Sequence, residues 1–175
     1  LEELSEEEID AYEEEVEAVI QEFVEELETE ELVVVVEQVA EVGVENLAVF
    51  SSVTHLGSNP ALLSFFVRPN VVPRNTYKNI KEKRFFTVNH ISKEKIDDAH
   101  HTSAKYDEDI SEFDKTSFQS EYKNNWKAPF VKDSAVQLGC KYLNEYYLKE
   151  NGCSMIIASI ELIFIRKGLL QNDGW

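Results

Sequence analysis

Two cysteines, four prolines and six glycines among 175 residues leave few means of stapling or dividing this chain. Cys140 and Cys153 form no C-x-x-C pair, and two cysteines cannot build a disulfide framework. No Pro/Gly/Ser-rich linker and no internal repeat interrupts the sequence. Residues 1–175 are therefore expected to form a single domain, long enough to bury a core unaided. Long apolar runs are missing too. Ala61–Val67 and Met155–Ile165 are too short to span a bilayer, and Glu161 interrupts the second. With no basic-then-apolar leader and no N-x-S/T sequon, the expectation is a cytoplasmic protein with no membrane partner. Cations are absent from one end. Residues 1–50 hold 19 Asp/Glu and no Lys or Arg, whereas residues 51–175 hold 15 acidic and 17 basic residues. The formal charge of −17 thus belongs to the first 50 residues, and only they are barred from anionic partners. Also missing are G-x-G-x-x-G, a P-loop, G-x-S-x-G and H-E-x-x-H, which removes ordinary dinucleotide folds and serine hydrolases from consideration.

What is present reads mostly as strands. Ser5 and Glu8 make a capping-box pattern, and apolar residues recur at Ile9, Tyr12, Val16, Val19, Ile20, Phe23, Val24 and Leu27. That spacing predicts an amphipathic helix at about 4–29 whose other face is almost all glutamate. Such a composition fits a solvated helix docked on the body, and equally a stretch of substituted, non-natural sequence. Leu32–Val39 is strand-like, Gly43 offers a turn, and Asn46–His55 reads as one second strand. Its alternation places Leu47, Val49, Ser51 and Val53 on one face and Ala48, Phe50, Ser52 and Thr54 on the other. A Gly-Ser-Asn-Pro break at 57–60 precedes a strand at Ala61–Val67. A helix capped by Asn75 or Thr76 runs to about Lys83, followed by a strand at Phe85–Ile91 and a helix within Ser92–Ser103. Residues 104–133 read as a long loop with a short helix. Val136–Leu148 and Ser154–Arg166 are long strands joined by a Glu-Asn-Gly turn at 150–152. Many strands and few helices predict a mainly β fold, a closed β-barrel with helical additions.

Few groups carry chemistry. Asp97, Asp98, His100 and His101 are the one His/carboxylate cluster. Adjacent histidines point to different sides of a helix and no Cys is near, so a solvated helix end suits them better than a metal site. The run Lys78, Lys81, Lys83, Arg84 abuts Phe85 and Phe86, which read as core rather than as a stacking platform; no nucleic-acid partner is expected. Cys140 has no neighbour in sequence to lower its pKa and reads as core. Residues 46–91 are more informative. Ser51, Ser52, Thr54, Ser58 and Asn59 set small polar groups at a strand end and the turn beyond it, where backbone donors can approach a planar polar ligand. Arg74, Asn75 and Thr76 combine a guanidinium, a hydroxyl and fresh helix N–H groups, a recipe for holding phosphate. Ordinary turn and capping chemistry also accounts for these residues.

The stretch N-L-A-V-F-S-S-V-T-H-L-G-S-N-P-A-L-L-S-F-F-V, then R-N-T-Y-K-N-I and F-F-T-V-N-H-I, resembles the flavin reductase-like, FMN-binding split-barrel family. H-T-S-A-K-Y with S-E-F-D, A-P-F-V-K-D-S-A-V-Q-L-G-C-K-Y and the final N-D-G extend the resemblance over about residues 43–175. It implies an FMN-binding split barrel in which Ser51, Ser52, Val53 and Thr54 line the isoalloxazine edge and Ser58 and Asn59 shape the adjoining turn. Arg74, Asn75 and Thr76 are implied to bind the phosphate, with Asn89 and the His101–Ser103 loop near the ring or ribityl chain. Trp126 is implied either to cover the flavin or to pack as a core or dimer aromatic. The family also implies a homodimer, NADH or NADPH as electron donor, and no catalytic acid or base from a side chain. Residues 1–44, without a cation, depart from the family pattern. The expected function is an FMN-dependent oxidoreductase of the flavin reductase-like class. Its rivals are a non-catalytic flavin-binding or electron-transfer protein on the same barrel, and an interaction module whose acidic helix recruits a basic partner.

Overall fold

The computed structural model describes residues 34–39, 45–69, 75–104, 106 and 110–169, with backbone alone for Val34–Val39 and Asn75. The helix expected at about 4–29, Arg74 and the Asn172-Asp173-Gly174 turn lie outside the described residues. The strands are β1 (Val34–Val39), β2 (Glu45–Phe50), β3 (Thr54–Ser58), β4 (Ala61–Val67), β5 (Phe85–His90), β6 (Ser120–Glu121), β7 (Phe130–Val131), β8 (Val136–Tyr147) and β9 (Ser154–Ile165). The helices are α1 (Asn75–Lys83) and α2 (Ile96–His101), with 3-10 turns at Lys93–Lys95 and Glu112–Lys115. Seven strands make one antiparallel sheet in the order β2-β1-β5-β8-β9-β4-β3, and β6 pairs with β7 apart from it.

Alternation along the strands decides the inside of this sheet. Leu63, Phe65 and Val67 of β4, Phe86 and Val88 of β5, Cys140 and Tyr142 of β8, and Ile156 and Ala158 of β9 form one buried cluster. Phe50 of β2 meets Phe65 edge-on with ring centroids 5.0 Å apart, and Phe65 meets Phe86 at 5.7 Å. β2 begins the sheet order and β4 stands sixth in it, so the sheet is rolled into a barrel. No ladder joins β2 to β3 among the described residues, and the barrel is split there. Helix α1 is docked on this barrel through Ile80, which lies in the same core. Its exposed side is tied to β8. The Tyr77 hydroxyl donates to the Glu145 carboxylate at 3.0 Å, and Lys81 Nζ donates to it at 2.6 Å and to the Tyr142 hydroxyl at 3.1 Å. Those hydrogen bonds push the Lys81 pKa up to about 12.

Three expectations need correction. Asn46–His55 is not one strand: the ladder stops at Phe50 and resumes at Thr54, because the chain crosses there from one end of the sheet order to the other. The break also resets the alternation. Val53 packs against the barrel core beside Phe50, whereas Leu47 and Val49 face a second cluster with Ile91, Ala99, Phe118 and Val131. The Ser92–Ser103 helix is a 3-10 turn followed by the six-residue α2. The loop at 104–133 contains β6 and β7, which are too short to show periodicity. Side chains hold that loop down. Thr87 Oγ1 donates to the Pro129 carbonyl at 2.7 Å, Asn89 Oδ1 accepts from Val131 N–H at 3.0 Å, and Gln137 Nε2 donates to the Val131 carbonyl at 2.6 Å. The long β8–β9 hairpin is present, but its register slips twice, leaving Leu143 and Glu161 unpaired as bulges.

Phe65 touches both the strand that closes the barrel and the strand across it, and it is fully buried. Replacing it with Ala is expected to cost about 3–5 kcal/mol in urea unfolding, whereas a loss below about 1 kcal/mol would show that the roll does not depend on this ring.

Candidate functional site

The edge strand β2 organises the candidate site. At its start, Asn46 Nδ2 donates to Thr76 Oγ1 at 3.0 Å and so fixes the first turn of α1 beside the edge strand. At its end the chain runs into Ser51, exposed, and Ser52, whose hydroxyl accepts from Phe66 N–H at 3.0 Å. Val53 then turns into the core, and Thr54, exposed, opens β3 opposite Ser64. Five residue steps separate Asn46 from Ser51, about 17 Å at the usual rise. Behind the same strand, Ala99 of α2 packs against Leu47, and Ser103 lies exposed just past α2, its N–H donating to the His100 carbonyl at 3.0 Å. The structure thus sets Ser51, Ser52, Val53 and Thr54 at one end of β2 and Thr76 at the other, with Asn75 as the first residue of α1.

Other expected site residues sit elsewhere. Ser58 ends β3, and Asn59, exposed, forms with Pro60 the two-residue turn to β4, about 13 Å along the strand from Thr54. Asn89 is fully buried. Its Nδ2 donates to Thr87 Oγ1 at 2.9 Å and its Oδ1 accepts from Val131 N–H, so it fastens β7 to β5. Trp126 lies on the outer face of β5 and β8: its indole N–H donates to the Phe86 carbonyl at 3.2 Å, and its ring covers Gly139. A Cβ at Gly139 would stand 3.1 Å from that ring, so a larger residue there would require the indole to shift by a few tenths of an ångström. Cys140 is buried in the core, and burial pushes its thiol pKa up, away from nucleophilic use. Of the His/carboxylate cluster, His101 Nδ1 is engaged by the Tyr106 hydroxyl at 2.9 Å, and Asp98 accepts from Ser117 N–H at 3.3 Å. Among the described residues no three His, Cys, Asp or Glu side chains gather as metal ligands, and no helix is long and apolar enough to cross a membrane.

The surroundings of α1 suit an anion. No acidic residue stands in its first turn, so the positive end of the helix dipole is not neutralised there. Asn79, one turn further along, is buried with Nδ2 unpartnered among the described residues.

Three residues of consequence escaped the sequence reading: Asn46, Ser111 and Glu112. Glu112 Oε2 accepts from Leu47 N–H at 2.9 Å, and burial raises its carboxyl pKa above the ordinary 4.5 despite that bond. Ser111 and Glu112 were visible only as part of S-E-F-D; nothing local signals their contact with a strand 65 residues away. Because the folded pKa is raised, the contribution of Glu112 to stability is greatest below pH 4.5 and declines as pH rises through the folded value. Glu112→Gln keeps an amide oxygen for Leu47 N–H and removes the partly buried charge. It is expected to gain stability over wild type at pH 7 and to lose that advantage at pH 4 in paired denaturant titrations. An advantage that grows on acidification would contradict this.

A rolled sheet split along one edge, with a helix N-terminus and strand-end hydroxyls beside that edge, is the split β-barrel of the flavin reductase-like fold. Comparison with known proteins agrees: the family described as flavin reductase like domain matches residues 28–172, and this chain belongs to it. A crystal structure from Shewanella frigidimarina NCIMB 400, described as a flavin reductase with split barrel domain, is 34% identical, with a TM-score of 0.77 covering 100% of this chain and 85% of that one. An FMN-binding protein from Thermus thermophilus is 16% identical, with a TM-score of 0.68 over 82% of this chain and 75% of its own. The NADH:FAD oxidoreductase of Streptomyces globisporus is 15% identical, with a TM-score of 0.65 over 77% and 75%. These last two share the fold. Membership of the family makes the protein a flavin-related oxidoreductase.

Proposed function

We propose that this protein binds FMN and oxidises NADH or NADPH through it, as a flavin reductase. The observation that carries the reading is the Asn46–Thr76 bond, which sets a helix N-terminus free of acidic residues one strand length from the hydroxyl-bearing Ser51–Thr54 segment. FMN is elongated, with an anionic phosphate at one end and a planar polar ring at the other, and this edge offers matching chemistry at both ends. When bound, FMN supplies the hydride and electron chemistry, and the protein supplies binding and orientation. Arg74, Asn75 and Thr76 would hold the phosphate through a guanidinium, a hydroxyl and helix N–H groups. Ser51, Ser52, Val53 and Thr54 would line the ring edge, Ser52 being held in place by Phe66 N–H. Ser58 and Asn59 would shape the adjoining hairpin, and Ser103 would approach from behind β2. Asn89 would act from beneath, by holding β7, since both its polar atoms are engaged within the protein. No side chain is assigned as acid or base. The name of the Thermus neighbour supports FMN, and that of the Streptomyces neighbour supports NADH as donor. Free Cys140 and Cys153 suit a cytoplasmic protein.

The FMN-loaded protein should oxidise NADH or NADPH in steady state. FMN binding with no turnover of either donor across several acceptors would leave electron transfer alone on the same barrel. Arg74→Ala is expected to weaken FMN by about tenfold to a hundredfold while sparing riboflavin, which lacks the phosphate; equal losses would refute the phosphate role.

We further propose a homodimer, in which the apolar row Phe66, Met155 and Tyr146, in register across β4, β9 and β8, is covered. Sedimentation equilibrium is expected to return about twice the 20.1 kDa chain mass, and a monomer at micromolar concentration would exclude the assembly.

A further inference from the structure

β2 ends the sheet order, so its outward backbone groups have no strand to pair with among the described residues. Two successive side chains take them instead. Ser111 Oγ donates to the Glu45 carbonyl at 2.6 Å, and Glu112 Oε2 accepts from Leu47 N–H at 2.9 Å. One donor and one acceptor thus stand in for a missing strand. The residue between the two latched groups is Asn46, whose side chain holds Thr76 at the start of α1. The latch is braced from its own side: Ser111 Oγ accepts from Phe113 N–H at 3.3 Å, and Thr116 Oγ1 donates to the Glu112 carbonyl at 2.9 Å. Leu47 is fully buried against the same region, with Phe118 and Phe113 in its cluster. Glu112 is a partly buried carboxylate that no step of the proposed function uses directly.

We infer that Ser111 and Glu112 are positioning residues for the phosphate end of the flavin site, acting through Asn46 and Thr76. The inference rests on the FMN reading above. By clamping the backbone on both sides of Asn46, the pair sets where its amide meets Thr76, and hence how the first turn of α1 faces the ligand. The ring end, beyond Phe50, is held separately by the Ser52–Phe66 bond. Loss of the latch should therefore be felt at one end of the ligand.

The test compares FMN and riboflavin affinity with amide exchange at Leu47 in wild type, Glu112→Ala and Glu112→Gln. Glu112→Ala is expected to weaken FMN about tenfold, to change riboflavin less than about threefold, and to speed exchange at Leu47. Glu112→Gln, which keeps an acceptor for Leu47 N–H, is expected to restore FMN affinity to within about threefold. Equal loss of both flavins, or faster exchange with unchanged FMN affinity, would overturn the positioning role. If Glu112→Ala does not fold, Ser111→Ala carries the same comparison from the donor side. A wild-type protein that binds neither flavin would instead overturn the FMN reading and this inference together.

Discussion

Three residues, Ser51–Val53, connect strands that stand at opposite ends of a seven-stranded sheet. Laid flat, seven strands would hold their outermost members about 29 Å apart. The link from Phe50 to Thr54 reaches at most about 14 Å even when fully extended. The sheet therefore has to roll until its ends nearly meet, and the Phe50–Phe65 contact is where they do. From that closure follow the enclosed core, the split between β2 and β3, and the position of the small polar residues beside it. Serine at 51 and 52 suits a link that must turn sharply between two ladders, and Ser52 supplies an acceptor to β4 as it passes.

The outer face depends on a different device. Residues 117–134 have almost no ladder of their own, yet Ala128, Pro129, Phe130 and Val131 are buried. Their backbone groups need partners, and buried polar side chains of the barrel strands provide them. Thr87 serves the Pro129 carbonyl, Asn89 serves Val131 N–H, and Gln137 serves the Val131 carbonyl. Gln137 in turn accepts from Lys123 at 2.6 Å, and Lys123 pairs with Glu121 at 2.8 Å. A network so nearly satisfied specifies one arrangement of the loop, because leaving any buried member unpaired is costly. Through Val131 and Phe118 it also packs the second cluster against Leu47, so the backing of β2 is set from this side.

Legibility in the sequence varied with the range of the interaction involved. Ala61–Val67 has the expected bounds, the helix ends at Lys83 as expected but already includes its two expected caps Asn75 and Thr76, and the β8–β9 hairpin lies where its turn signal points. In each, local period and turn chemistry agree with the tertiary packing. The strand break at Ser51–Val53 was hidden because alternation continues through it in the sequence and only the crossing stops the ladder. Asn89 shows the same limit at a single residue. An asparagine ending an apolar strand reads equally as a ligand contact or as a buried clasp, and only the partner strand β7 reveals the clasp.

By itself the sequence determined the mainly β character, the approximate extents of β4, β5, β8 and β9, and the polar run at 51–59 with its helix start near 75. Periodicity and turn preference act over a few residues, and those features need nothing more. The tertiary structure alone decided which of the polar residues share an edge, that Val53 turns inward and Asn89 is consumed by the fold, and that Ser111 and Glu112 complete β2. Each of these depends on backbone groups left unpaired by distant strands, whose needs become defined only once the sheet has rolled.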